Sequence, residues 1–275
     1  TQAQLRLFGN ASLLVGGKAL PLPPQAPAAV LAVLGVHSDW MPRERLLALF
    51  WPDVAEPDAL RSLRVTLHRS RQWLGRWNLD AALQTHANTV RLDLPCDVSA
   101  FRRAVATADV AQVLKVHAAP LLQDWRLRSF PVLEAWIEAE REALRATWRD
   151  LVWREATKRA ASDTDEALAW MLALVDEDPL AEDLLQALMR LAGGAPEGHP
   201  SRAVAMARYR QFVARTQREG EDPANDNTVK LAESLSGSAS GPAGGRRDHA
   251  PGTPRSASVG ASVTSSPALF DDVPW

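Results

Sequence analysis

Between Asp58 and Gly75 the chain contains no proline, and no glycine before its last residue, while its apolar and charged side chains separate at helical spacing. At about 100° per residue, Ala59, Leu60, Leu63, Leu67, Ser70 and Leu74 fall on one side. Arg61, Arg64, His68 and Arg71 gather on a neighbouring, outward side, with Val65 and Gln72 between them. Asp58 supplies an N-cap or a first-turn carboxylate, and Gly75 supplies the stop. A helix over 58–74 of this kind constrains everything around it. Its apolar seam requires a core, and its basic face must be left outside that core.

A basic helix face suits a DNA major groove, where arginine pairs bidentately with guanine O6 and N7 or neutralises phosphates. The competing reading is a solvated charged surface, the ordinary fate of a charge run. The whole chain carries a net charge of −2 over 275 residues, which excludes a bulk polyanion binder. A nucleic-acid surface must therefore be local. Up to Pro95 there are 10 Lys and Arg against 7 Asp and Glu, a net of +3, so the acidic excess lies further along.

The flanking segments supply the core. Residues 4 to 22 alternate through Leu5, Leu7, Leu13 and Val15, with Gly16-Gly17 as a hairpin signal, which predicts a small antiparallel sheet. Pro27 fits the first turn of a helix, and the apolar run Ala28–Val36 makes that helix a buried one, closed by Gly35 and His37-Ser38-Asp39. A second short helix runs from Arg43 to Phe50 and is broken by Trp51-Pro52. After the basic third helix, two alternating runs around Ala87-Asn88 read as a second hairpin. Sheet, three helices and hairpin, in that order, are the layout of a winged helix-turn-helix, an α+β unit in which the third helix reads DNA and the hairpin is the wing. In that frame His86, Asn88 and Arg91 touch a phosphate or the minor groove. The alternative for each is a solvent-facing turn residue.

From Asp97 the pattern is helical. Asp97 or Ser99 caps a helix through Ala106, Val110 to Ala118 gives another, and Phe130 to about Arg159 forms one long helix with Leu133, Trp136, Ile137, Leu144, Trp148, Leu151 and Val152 as its stripe. An internal repeat follows. Glu177-Asp178-Pro179 and Glu221-Asp222-Pro223 each stand between two amphipathic segments, so each marks the turn of a helical hairpin. Such hairpins stack because none can bury its faces alone. Beyond Leu235 serine, glycine, alanine and proline dominate, a composition that predicts a disordered tail. The tail ends in an apolar, acidic cluster, Ala268-Leu269-Phe270-Asp271-Asp272-Val273-Pro274-Trp275, read first as a frayed terminus, with a short docking motif or the approach to a further domain as the alternatives. The expected fold class is thus mainly α. A winged-helix domain over 1–95 precedes a helical, tetratricopeptide-like domain over 96–235 and a disordered tail over 236–275.

Several motifs occur in a telling order: Leu5-Arg6-Leu7-Phe8-Gly9, Leu49-Phe50-Trp51-Pro52-Asp53, Leu63-Arg64 with Leu67-His68-Arg69, then Asp97-Val98, Leu122-Gln123-Asp124-Trp125 and Trp136-Ile137-Glu138-Ala139-Glu140-Arg141. Over roughly residues 4 to 235 this series resembles the bacterial transcriptional activator family, which includes the Streptomyces antibiotic regulatory proteins. That family joins an OmpR-type winged helix to a tetratricopeptide-like activator domain. The resemblance implies a DNA-binding transcription regulator that pairs as a homodimer and contacts RNA polymerase, an effector or another protein through its helical domain. It places Arg64, His68, Arg69 and Arg71 on or beside the recognition surface. The chain departs from the family pattern before its first helix, where Leu22-Pro23-Pro24-Gln25-Ala26-Pro27 replaces the usual basic residues, and at His68, where a small polar residue is usual.

Other classes find little support. The six histidines show no metal-ligand spacing with carboxylates or with the single cysteine, Cys96. No nucleophile has a recognisable setting, and Gly16-Gly17-Lys18 lacks the spacing of a phosphate loop. No enzyme activity, metal or cofactor is expected. No run of about 18 apolar residues occurs, so a soluble, cytoplasmic protein without a membrane partner is expected. The alternative to a DNA-binding regulator is an adaptor whose winged helix no longer binds DNA and whose helical repeats hold a protein partner.

Overall fold

Gly16 and Gly17 both adopt positive φ, 56° and 85°. This is the left-handed pair that a two-residue hairpin turn requires and that side chains resist. They join β2 (Ser12–Val15) to β3 (Lys18–Pro21), and β1 (Ala3–Arg6) pairs antiparallel with the other edge of β2. The computed structural model describes residues 3–117, 119–220 and 222–237. The tail expected from 236 onward therefore lies outside the described residues, except for its first two, which end the last helix.

Helix α1 (Ala26–His37) is apolar all round, and every residue from Ala28 to Val36 is buried. A helix with no polar face must be covered on all sides. Helix α3 (Glu56–Gly75) covers one side, and Leu5 of β1 approaches another. Gly35 does not close α1 as expected. It lies inside the helix, and a Cβ there would sit 2.4 Å from Leu5 Cδ2, so its missing side chain is what lets β1 approach. The helix stops at Ser38, which takes φ 64° and returns its N–H to the Leu34 carbonyl at 2.9 Å.

A two-residue strand, β4 (Met41–Pro42), leads into α2 (Arg43–Phe50), and a short turn leads into α3. Helix α3 starts two residues before the expected Asp58. Ala55 takes the cap position and Pro57 the first turn, leaving Glu56 and Asp58 as carboxylates at the positive end of the helix dipole. A turn of 3-10 helix (Asp80–Ala82) precedes β5 (Leu83–His86) and β6 (Thr89–Leu92). These form a second antiparallel sheet with strand order β4-β6-β5. Two residues carry no periodicity, so β4 was not legible in the sequence. The N-terminal part is a winged helix-turn-helix, as expected.

The remainder is helical: α4 (Asp97–Ala106), α5 (Val110–Val116), α6 (Pro131–Arg159), α7 (Thr164–Glu177), α8 (Glu182–Gly194), α9 (Pro200–Glu219) and α10 (Asp226–Gly237). Helix α6 packs on α7, α7 on α8, and α8 on both α9 and α10. The turn at Asp178-Pro179 is fixed by arginines of α6. Arg145 Nη2 meets Asp178 Oδ2 at 2.9 Å, and Arg149 reaches Asp178 at 3.7 Å and Asp183 at 2.6 Å. The charged face of α6 is thus a clamp on the next hairpin as well as a wetted surface.

Residues 3–237 form one compact unit, and particular contacts join its two parts. The Leu5 N–H donates to the Pro95 carbonyl and the Gly9 N–H to the Pro120 carbonyl, both at 2.8 Å, while Leu122 N–H donates to Leu7 at 2.7 Å. Phe50 at the end of α2 meets Phe130 edge-on at 5.4 Å between ring centroids. Asp97 serves this junction rather than capping α4. Cys96 takes the cap position, and Asp97 Oδ2 accepts the N–H groups of Leu7 at 2.8 Å and Phe8 at 3.0 Å. Burial pushes the Asp97 pKa up, against the opposing pull of those backbone donors.

Candidate nucleic-acid interface

Helix α3 is held from below by a stripe of Ala59, Leu63, Thr66, Leu67, Ser70 and Leu74. Thr66 joins the stripe on the flank opposite Leu60, which is only half-buried. The two buried hydroxyls find acceptors, as burial demands. Thr66 Oγ1 donates to the Ser62 carbonyl at 2.8 Å, and Ser70 Oγ lies 2.9 Å from both the Thr66 and Pro27 carbonyls. The Pro27 contact ties α3 to the start of α1 and fixes how the helix rolls.

That roll turns Arg61, Arg64, Val65, His68 and Arg69 outward. Val65 is 45% exposed in the middle of the face. Arg61, Arg64, His68 and Arg69 have no hydrogen-bond or ion-pair partner among the described residues. Several arginines of the helical part differ, since Arg102, Arg141, Arg145, Arg149, Arg159 and Arg208 each meet a carboxylate. The outer face of α3 therefore combines free guanidinium donors, one imidazole and one methyl-bearing side chain. Those are the groups that read guanine edges, phosphates and thymine methyls.

Arg71 stands apart from them. Its guanidinium is half-buried and donates from Nε to the Leu83 carbonyl at 3.3 Å and from Nη2 to Thr85 Oγ1 at 3.1 Å. It braces β5 against α3 and sets the angle between helix and wing. Arg43, at the start of the second helix, lines the hollow between α3 and the wing together with Arg64 and Arg71. Its buried Nε has no acceptor among the described residues. Three guanidinium groups around one concavity make it electropositive, and the only sequence signal was the basic run Arg43-Glu44-Arg45.

The wing tip is anchored too. The Arg43 N–H donates to the Asn88 carbonyl at 2.9 Å, and the Asn88 side-chain amide donates to Glu44. Trp40, unmarked in the sequence, gathers the other two wing residues. The Arg91 guanidinium lies over its ring at 5.3 Å, and His86 meets it edge-on at 6.0 Å. Arg91 also pairs with Asp93 at 3.4 Å. His86 and Asn88 are exposed while Arg91 is half-buried, so the wing presents fewer free cations than α3.

The remaining titratable groups lie elsewhere. Cys96 is buried and its thiol is pushed up to about 12, first by burial and then by the neighbouring Asp97 charge, which keeps it protonated and unreactive. Among the described residues no group of three or more His, Cys, Asp or Glu is placed to hold a metal ion, and no helix is long and apolar enough to cross a membrane.

No protein-family model and no curated protein matches the chain. Among solved structures it is similar to Mycobacterium tuberculosis EmbR, determined in complex with a low affinity phosphopeptide, at 20% sequence identity and a TM-score of 0.53. The match covers 85% of this chain and 65% of EmbR, so the chain spans about two thirds of that protein's length. At this identity the likeness is one of fold: the winged helix and the helical part occur together, in one chain, in a protein of known structure.

Proposed function

We propose that this chain is a DNA-binding transcriptional regulator of the bacterial transcriptional activator type. In this reading residues 1–95 bind duplex DNA and residues 96–235 make protein contacts. The observation that carries it is the outer face of α3, where Arg61, Arg64, His68 and Arg69 stand unpaired around exposed Val65 on a helix whose roll is fixed by Ser70. Helix α3 enters the major groove. Arg61, Arg64 and His68 face base edges, Arg69 faces a flanking phosphate, and Val65 offers its methyl groups to thymine. Arg43 draws a backbone phosphate to the hollow beside the wing, while His86, Asn88 and Arg91 approach the adjacent backbone. Arg71 acts as a positioning residue that holds the wing at the angle both contacts need.

The free cations are few and the chain's net charge is slightly negative, so one copy binds weakly. Pairing of two copies through the helical part, on repeated half-sites, raises affinity through effective concentration. The same part offers contacts to RNA polymerase, and a regulator of this kind works in the cytoplasm beside the chromosome.

Selection of bound duplexes from a random-sequence pool tests the reading. Enrichment of a repeated half-site, with relaxed preference at one position in Arg64→Ala, is the expected result. A pool that stays random through successive rounds with the full chain contradicts it.

A further inference from the structure

The most basic helix of the described chain is α9, not α3. Between Pro200 and Glu219 it carries five arginines, Arg202, Arg208, Arg210, Arg215 and Arg218, against the single carboxylate Glu219. Three of them, with Gln211, fall in one row at steps of three and four residues, and that row borders a groove between α9 and α7. The floor of the groove is apolar: Val175 from α7, Pro179 from the turn after it, and Phe212 from α9. Among the described residues only Arg208 of the row is neutralised, by Asp176, with Nε–Oδ1 at 2.9 Å and Nη2–Oδ2 at 3.1 Å. Arg218 donates its Nε to the Ala214 carbonyl at 3.1 Å, and its terminal nitrogens have no partner among the described residues. Arg215 is exposed and has no partner among the described residues. Among the described residues Asp176 is the one carboxylate that borders the groove.

We infer that the groove between α7 and α9 is a docking site for an acidic protein segment, a short peptide carrying several carboxylates and one apolar anchor. The charge balance of the groove selects the sign of the partner. Three guanidinium groups against one carboxylate leave two positive charges uncompensated beside a low-dielectric floor, where charge-assisted hydrogen bonds to carboxylates are strongest. Its shape selects the class. Ten residues of helix separate Arg208 from Arg218, a span of about 15 Å, which an extended peptide of about five residues matches. The apolar floor between the cations suits a Leu, Phe or Trp side chain, and a sugar-phosphate backbone offers nothing to put there. The site does not depend on the DNA-binding reading, because it uses none of the residues of α3 or the wing.

The test is fluorescence anisotropy of the full chain with labelled seven-residue peptides, each with four Asp or Glu residues and one Leu, Phe or Trp placed at each position in turn. Their Asn/Gln counterparts and a labelled duplex serve as comparisons. Saturable binding of acidic members is expected, with at least about tenfold weaker binding in Arg215→Glu/Arg218→Glu and no comparable loss in Arg210→Glu, which changes charge on the same helix away from the row. Circular dichroism of both variants verifies that the helices remain. Equal binding by the double variant, equal loss in Arg210→Glu, or no binding by any acidic member overturns the proposal. Duplex binding that depends on Arg215 and Arg218 while the peptides do not bind also overturns it and reassigns the row to nucleic acid.

Discussion

Replacing Asp97 with alanine tests how the two parts of the chain are joined. Asp97 Oδ2 accepts two backbone donors from the end of β1, Leu7 N–H at 2.8 Å and Phe8 N–H at 3.0 Å, and Oδ1 accepts Val98 N–H at 2.9 Å. Leu7 is fully buried and Phe8 half-buried, so water replaces the carboxylate poorly. An orphaned buried donor costs about 1–3 kcal/mol, which for Leu7 and Phe8 together gives a loss of about 2–6 kcal/mol. The Val98 donor lies in the first turn of α4 and adds little. Asp97→Asn can place its amide oxygen where Oδ2 accepts both donors and turn its NH2 toward the Val98 N–H, and should recover most of the loss. Urea unfolding followed by tryptophan fluorescence reads both variants. The pH profile supplies an independent check. Burial raises the folded-state pKa of Asp97 above its ordinary 3.8, so ionisation is less favourable in the folded chain than in the unfolded one. Its titration contribution is fully present below the ordinary carboxylate pKa and is lost as pH rises through the raised folded value. Asp97→Asn removes that slope. A loss below about 1 kcal/mol in Asp97→Ala would refute the reasoning, since two orphaned donors cannot cost so little.

Three further perturbations follow from the geometry. Gly35→Ala forces a Cβ to within 2.4 Å of Leu5 Cδ2 in a packed core; overpacking of about 1–3 kcal/mol outweighs the gain of about 1 kcal/mol in helix propensity, so the midpoint of thermal unfolding falls, and Leu5→Val in the same chain restores part of it. Arg71→Ala releases β5 from α3, and hydrogen exchange speeds up at the amides of Leu83–His86 and Thr89–Leu92 while the protection of α6 is unchanged; Arg71→Lys, with one point donor in place of a planar fork, rescues only part. His117 stacks on Trp148 at 5.4 Å and meets Phe8 edge-on at 5.0 Å, and burial lowers its pKa below the ordinary 6.5. The stability this depressed value contributes is present above pH 6.5 and is lost as pH falls through the folded value, so His117→Phe flattens the profile in that window.

Periodicity made the long elements legible. Helix α6 runs from Pro131 to Arg159 where an unbroken apolar stripe placed it, and Gly16-Gly17 marked its hairpin because only a left-handed pair closes so tight a turn. What escaped were features set by tertiary contact. Gly35 looked like a helix terminator, and only the position of Leu5 reveals it as a packing glycine. Asp97 had the sequence position of a cap, yet the donors it serves lie some ninety residues earlier. The roll of α3 depended on the Ser70–Pro27 hydrogen bond, and it turned Arg71 toward the wing while leaving Arg61, Arg64, His68 and Arg69 free. Arg43 and Trp40 join the candidate interface through β4, a strand too short to leave any pattern.

The proposal that the outer face of α3 binds DNA is tested most directly by the salt dependence of binding. Fluorescence anisotropy of a random-sequence duplex, between about 50 and 200 mM salt, compares the wild type with Arg61→Ala/Arg64→Ala/Arg69→Ala. The account predicts salt-sensitive binding by the wild type and, in the triple variant, weaker binding with a log–log salt slope shallower by about 1 for each phosphate contact removed. The same slope and affinity in both proteins, or no binding by the wild type at the lower salt, would contradict it.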